Sequence, residues 1–169
     1  MYFGEVTDPN IRHIFRDAGD FIVRPLKCGK FTLYAYAIDG LTSGADTSEY
    51  VIRPITDNLT GSTPAALYEE ALLGNVYNSV ADPCRDLDTV ALKLVNGFCV
   101  ILFPEAGAIA FEVKTGEKRG ISAPEVENTV KGAKDAFVET VRTNTSLLRR
   151  HLRSPELRLY ETRVGRRSL

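Results

Sequence analysis

The run from Phe31 to Ile38 is apolar on both faces of any strand it forms. Alternate residues of a strand point to opposite sides, so Leu33, Ala35 and Ala37 share one face and Tyr34, Tyr36 and Ile38 the other. A strand of this kind is stable only where layers cover it above and below, which makes it the centre of a sheet with helices packed around it.

The rest of the chain supplies those layers. Phe21 to Leu26 reads as a partner strand, joined through the turn Lys27-Cys28-Gly29-Lys30. A second hairpin is expected from Phe98 to Phe103 and from Ala108 to Val113, around Pro104-Glu105-Ala106-Gly107. Asp8-Pro9-Asn10 starts a helix in which Ile11, Ile14 and Phe15 have helical spacing. A helix is expected from Thr47, capped by Thr47 or Ser48, and broken or kinked at Arg53-Pro54. Pro64 opens another, with Leu67, Tyr68, Ala71 and Leu72 inward and Gly74 as its end. Asp86 caps a helix with the stripe Leu87, Val90, Ala91, Leu94 and Val95, closed by Asn96-Gly97. Residues 116–131 are polar and read as extended; a last helix spans Asp135 to Leu152, and a strand runs from Leu157 to Val164. The fold class is α/β (α+β), a mixed β-sheet with packed helices, and residues 1–169 read as one soluble domain fragment.

Charge is uneven along the chain. Residues 1–130 carry 11 Lys and Arg against 18 Asp and Glu, and residues 131–169 carry 10 against 4. An acidic body with a basic end either neutralises itself on folding or presents a local electrostatic surface. Cys28, Cys84 and Cys99 are odd in number and far apart, which argues against a disulfide framework or a zinc site and for a reducing compartment. Residues 1–20 lack the apolar stretch of a signal peptide, and no run approaches the roughly 20 apolar residues of a membrane span.

The basic segment carries the most information. As one helix, its buried stripe would be Phe137, Val138, Val141, Leu148 and Leu152. Arg142, Arg149 and Arg153 would fall within about 40° of one another on another face, with Arg150 nearby. Between them, Thr143-Asn144-Thr145-Ser146 is a run of poor helix formers whose polar groups need partners where buried. Two readings stand for this centre: a satisfied structural network or bend, and a contact with another domain or subunit. The arginines read as a solvated or internally paired face, as an interface for acidic groups, or as a phosphate or nucleic-acid surface. Arg142, Thr143, Asn144, Thr145, Arg149, Arg150 and Arg153 are therefore the candidate interface and signalling residues.

The sequence from Gly132-Ala133-Lys134-Asp135-Ala136-Phe137-Val138-Glu139-Thr140 through Arg142-Thr143-Asn144-Thr145-Ser146-Leu147-Leu148-Arg149-Arg150 resembles the A subunits of bacterial spore germination (germinant) receptors and their stage V sporulation paralogues. Ser154-Pro155-Glu156-Leu157-Arg158-Leu159 and Val164-Gly165-Arg166-Arg167-Ser168 continue the likeness, as does the upstream order Ile38-Asp39-Gly40-Leu41 and Ile52-Arg53-Pro54-Ile55. Ala136 stands where the family usually has Gly and His151 where it has Arg, and Leu73 to Arg85 does not align readily. The resemblance implies the first of two amino-terminal α/β subdomains, with the second subdomain and a membrane domain beyond residue 169. It implies partners among B and C subunits and other A subunits. It also implies a full-length protein in the spore inner membrane, with this domain soluble on the cytoplasmic (spore core) side, and a part in nutrient-triggered ion release.

Catalysis is not expected. His13 and His151 are the only histidines, and no Gly-rich phosphate loop, Ser-His-Asp order or paired metal-ligating histidine pattern occurs. No cofactor or metal is expected. Two other functions compete with the receptor reading. One is a nucleic-acid-binding module using Arg142, Arg149, Arg150, Arg153, Arg166 and Arg167. The scarcity of aromatics interleaved with these arginines argues against it, so no nucleic-acid partner is expected. The other is direct binding of a small-molecule nutrient.

Overall fold

A computed structural model of the chain describes residues 1–115, 137–162 and 165. The extended segment expected over 116–131, the start of the expected last helix at Asp135, and Arg166 and Arg167 lie outside the described residues.

Five strands form one sheet: β1 (Phe21–Cys28), β2 (Phe31–Ile38), β3 (Ala81–Cys84), β4 (Phe98–Phe103) and β5 (Gly107–Glu112). Their spatial order is β1-β2-β4-β5-β3. The fold is α+β, and the expected mixed sheet is antiparallel at every pairing. Two hairpins abut through β2 and β4, where Tyr34 faces Leu102 and Tyr36 faces Val100. Such neighbours need no crossover, whereas a parallel pair would.

Both faces of the sheet are covered. Val100 and Leu102 join Tyr36, Ile38, Ala108 and Ala110 beneath α1 (Asp8–Ile14) and α5 (Leu87–Val95). Cys99, Ile101 and Phe103 join Leu33, Ala35, Ile109 and Phe111 on the opposite face. There they meet Val51, Ile55, Leu67 and Ala71 from the helices α2 (Gly44–Thr47), α3 (Arg53–Asn58) and α4 (Pro64–Glu70) and their extensions. The doubly apolar β2 is thus a central strand with helices on either side. Tyr36 is fully buried and its hydroxyl donates to Asp8 Oδ1 at 2.7 Å, a bond that ties α1 to the sheet.

Three local expectations change. Helix α2 begins at Gly44, with Ser43 rather than Thr47 or Ser48 as cap; Ser43 Oγ accepts from the Asp46 amide at 3.3 Å. Pro54 does not break the helix: a π-helical turn (Ser48–Ile52) carries the chain from α2 into α3 with helical backbone at each junction. The wider turn accommodates a residue that has no amide hydrogen and whose ring crowds the preceding turn. Strand β3 lies within the stretch 73–85 that the sequence reading left without an element. It is four residues long, contains Pro83 and sits at the sheet edge, where a missing donor is tolerated.

The starts of β1 and β4 and the ends of β2 and β5 share one end of the sheet, since Phe21 pairs with Ile38 and Phe98 with Glu112. The loops there contain Asp20, Asp39-Gly40-Leu41, Asn96-Gly97 and Lys114-Thr115. Helix α6 (Val141–His151) packs across this end.

Candidate functional site: an arginine helix across the sheet end

Helix α6 starts after Thr140, several residues later than expected. Thr140 makes no side-chain cap. The start is held instead by Asn144, whose Oδ1 accepts from the Val138 amide at 2.8 Å and whose Nδ2 donates to the Val138 carbonyl at 2.6 Å. Asn144 thereby pairs with a backbone unit as a neighbouring strand would, and satisfies both of its groups.

The buried face of α6 is not the apolar stripe. Phe137, Val141 and Leu152 are exposed, while Ser146 and Arg149 are buried. The reason is the surface beneath the helix, which consists of strand-end loops rather than an apolar sheet face. Gly40, at φ +80°, lies so close to α6 that a Cβ there would come within 2.8 Å of Ser146 Cβ. Ser146 is small enough for that approach, and its Oγ donates to the Thr143 carbonyl at 2.8 Å. Thr145 Oγ1 donates to the Arg142 carbonyl at 3.0 Å. The hydroxyls of Thr145 and Ser146 are thus satisfied by their own helix, and no described buried side-chain nitrogen or oxygen lacks a partner.

Arg149 goes inward. Its side chain is fully buried, with Nε 2.6 Å from Asp20 Oδ2 and Nη2 2.7 Å from Asp20 Oδ1. Nη1 donates to the Ser154 carbonyl at 3.1 Å. One guanidinium therefore joins the start of β1, helix α6 and the chain that follows it. The bidentate geometry is the one in which an arginine–carboxylate pair withstands burial.

The other arginines diverge. Arg142 Nη2 lies 2.8 Å from Asp39 Oδ2 on the surface. Arg150 Nη2 donates to Thr115 Oγ1 at 3.1 Å. Arg153 donates from Nε to the Arg150 carbonyl and from Nη1 to Asn96 Oδ1, both at 3.2 Å. The structure therefore gathers Arg150 and Arg153 at one cleft with Asn96, Gly97, Lys114 and Thr115, buries Arg149, and sets Arg142 apart against Asp39. Thr143 is exposed. Part of the charge asymmetry is resolved internally, because Asp20 and Asp39 of the acidic body each pair with an arginine of the basic segment.

Beyond α6 the chain does not form the expected strand over its described residues, 157–162. Leu159 instead accepts one backbone hydrogen bond, from the Gly19 amide at 2.9 Å. Arg158 Nη2 donates to the Ile14 carbonyl at 3.0 Å. Asp20, Asp39, Gly40, Asn96, Lys114 and Thr115 escaped the sequence reading as site residues. Asp39-Gly40 and Asn96-Gly97 were legible only as element ends, and nothing local marks them as supports for a distant helix.

The described residues thus form an α+β domain, with helices on both faces of the sheet and a basic helix pinned across the sheet end. It matches the crystal structure of the N-terminal domain of the A subunit of the Bacillus megaterium spore germinant receptor GerK3, with a TM-score of 0.66 at 16% identity, over 94% of this chain and 58% of that one. The chain belongs to the family described as Bacillus/Clostridium GerA spore germination protein, which matches residues 9–169. Stage V sporulation protein AF of Bacillus subtilis (strain 168) is 29% identical over 150 residues, 88% of this chain and 30% of that protein. Spore germination protein B1 of the same organism is 28% identical over 137 residues, 78% of this chain and 27% of that protein. GerLA of Bacillus cereus is 26% identical over 163 residues, 94% of this chain and 32% of that protein. The chain thus spans a third or less of the length of these relatives. No helix among the described residues is long and apolar enough to cross a membrane.

Proposed function

We propose that this chain is the amino-terminal module of a spore germination receptor A subunit and acts without catalysis, by relaying nutrient-triggered change to the membrane part of the receptor that releases ions. The observation that carries this reading is the family match from residue 9 to residue 169. The geometry supports it. Arg149 ties α6 and the segment after it to the first strand, so a displacement of that segment pulls on the sheet end. On this reading B and C subunits and other A subunits are the partners, and the full-length protein would sit in the spore inner membrane with this module on the spore-core side. Among the described residues no three His, Cys, Asp or Glu side chains cluster as metal ligands would.

Spores lacking the full-length protein test the reading directly. Germination is expected to slow or fail with at least one class of amino acids, sugars or nucleosides. An unchanged response to all three classes would remove the proposal. A second reading, favoured by the similarity to the stage V sporulation protein, places the chain in spore formation; defective spores formed before any nutrient is added would select it. Nucleic-acid binding gains little from the geometry, since Arg149 is buried and Arg142 is paired with Asp39.

A further inference from the structure

We propose that the cleft between the carboxyl end of α5 and the last turn of α6 binds a small oxyanion carrying at least two negative charges, a phosphate or a compact dicarboxylate. The cleft has a volume of about 200 Å³ and is lined by Asn96, Gly97, Lys114, Thr115, Arg150 and Arg153, with Leu41 and Val95 at its apolar wall. A cleft of that size has room for one phosphate or a short diacid.

The cleft is lined by three cationic side chains, Lys114, Arg150 and Arg153. Arg142 and Arg149 each have a carboxylate within ion-pairing distance, but among the described residues Arg150 and Arg153 have none. Lys114 is shared with Glu112 at 2.7 Å. The two guanidinium groups are nonetheless held in place. Arg153 is fixed by the Arg150 carbonyl and Asn96 Oδ1, and Arg150 by Thr115 Oγ1. Every one of these acceptors is neutral. Each arginine keeps its full charge, and N–H donors of both forks remain for a ligand. An oxyanion meeting two oriented forks gains charge-assisted bonds without the cost of ordering the side chains.

One feature opposes the anion. The carboxyl end of α5 lies at the same cleft and carries about half a negative charge. Two guanidiniums with no carboxylate partner among the described residues exceed it. The same helix end also supplies the competing explanation, that the arginines serve only to satisfy it. The proposal does not rest on the receptor role, and its failure would leave that role untouched.

The test is a titration of the 169-residue chain, followed by backbone amide NMR at constant ionic strength, with inorganic phosphate in one arm and malonate in the other. Saturable shifts confined to the Gly97 and Thr115 amides and their neighbours are expected, and the arm that saturates identifies the oxyanion. The double variant Arg150→Gln/Arg153→Gln is expected to weaken binding by about tenfold or more, with the Kd ratio read directly. If that variant does not fold, Lys114→Gln is titrated instead and a weaker saturation is expected. Shifts that rise linearly and match those from chloride would overturn the proposal. So would identical titrations of a folded variant and the parent chain, or a variant that loses stability when the parent binds neither anion.

Discussion

Arg149 and Asp20 stand 129 positions apart and meet in the interior as a bidentate pair, both essentially inaccessible to water. The pair is buried where an apolar contact was expected, and it decides which face of α6 turns inward. Removing one partner leaves an uncompensated charge, which costs about 3–5 kcal/mol. Arg149→Leu is therefore expected to lower the unfolding free energy measured by urea denaturation by an amount of that order, with a lower midpoint, and adding Asp20→Leu should recover part of it. A midpoint equal to the parent's would show that the pair is not holding the helix. An Arg149→Glu change in the full-length protein would accordingly report on folding, whereas the exposed Arg142 and Arg153 are the arginines with which to probe the proposed relay.

Gly40 combines a left-handed backbone at φ +80° with a 2.8 Å approach of any added Cβ to Ser146. Gly40→Ala meets both penalties at once and is expected to cost more than about 1 kcal/mol. Thermal unfolding of the single variant checks this, and an unchanged midpoint would mean that α6 can shift away from the loop.

Asn144→Ala removes the two hydrogen bonds to Val138. A loss of about 1 kcal/mol is expected. The sharper readout is local: the Val138 amide should exchange faster with solvent while the amides of β4 stay protected.

Asp86 accepts from the Thr89 amide at 2.6 Å at the start of α5, and this bond holds its carboxyl below the usual carboxylate range. A carboxyl depressed in the folded state contributes stability above its unfolded pKa and loses it as pH falls through the folded value. Stability should therefore decline on acidification through the carboxylate range. Asp86→Asn, which still caps the helix, should flatten that part of the profile. An identical acid slope in the variant would contradict the assignment.

Cys28, Cys84 and Cys99 are free and buried. Burial pushes the Cys84 thiol up to about 11 and the Cys99 thiol up to about 12. Since only the thiolate reacts, neither should be alkylated by iodoacetamide near neutral pH until the chain unfolds. Rapid labelling of the folded protein at either position would show that its strand or helix opens.

Elements whose signal is local were legible. The cap at Asp86, the α5 stripe and the two main hairpins follow from side-chain spacing and turn residues that need no distant partner. The short edge strand β3 was missed because four residues including a proline carry no period, and only Phe111, Ala110, Ile109 and Ala108 opposite them define a strand. The stretch from Leu157 to Val164 reads as a strand from composition, yet over its described residues, 157–162, a bond from the Gly19 amide to Leu159 stands in place of a ladder.

The arginine helix marks the boundary between the two kinds of information. Its sequence alone determined that a basic segment with a Thr-Asn-Thr-Ser centre was distinctive, and it carried the family resemblance. The inward face was decided by the tertiary structure. Periodicity assumes an apolar partner, whereas the sheet end presented Asp20, Asp39 and a bare Gly40 to the helix. Against that surface a serine and an arginine are the better fit, because close approach needs a small side chain and a buried carboxylate needs a cation.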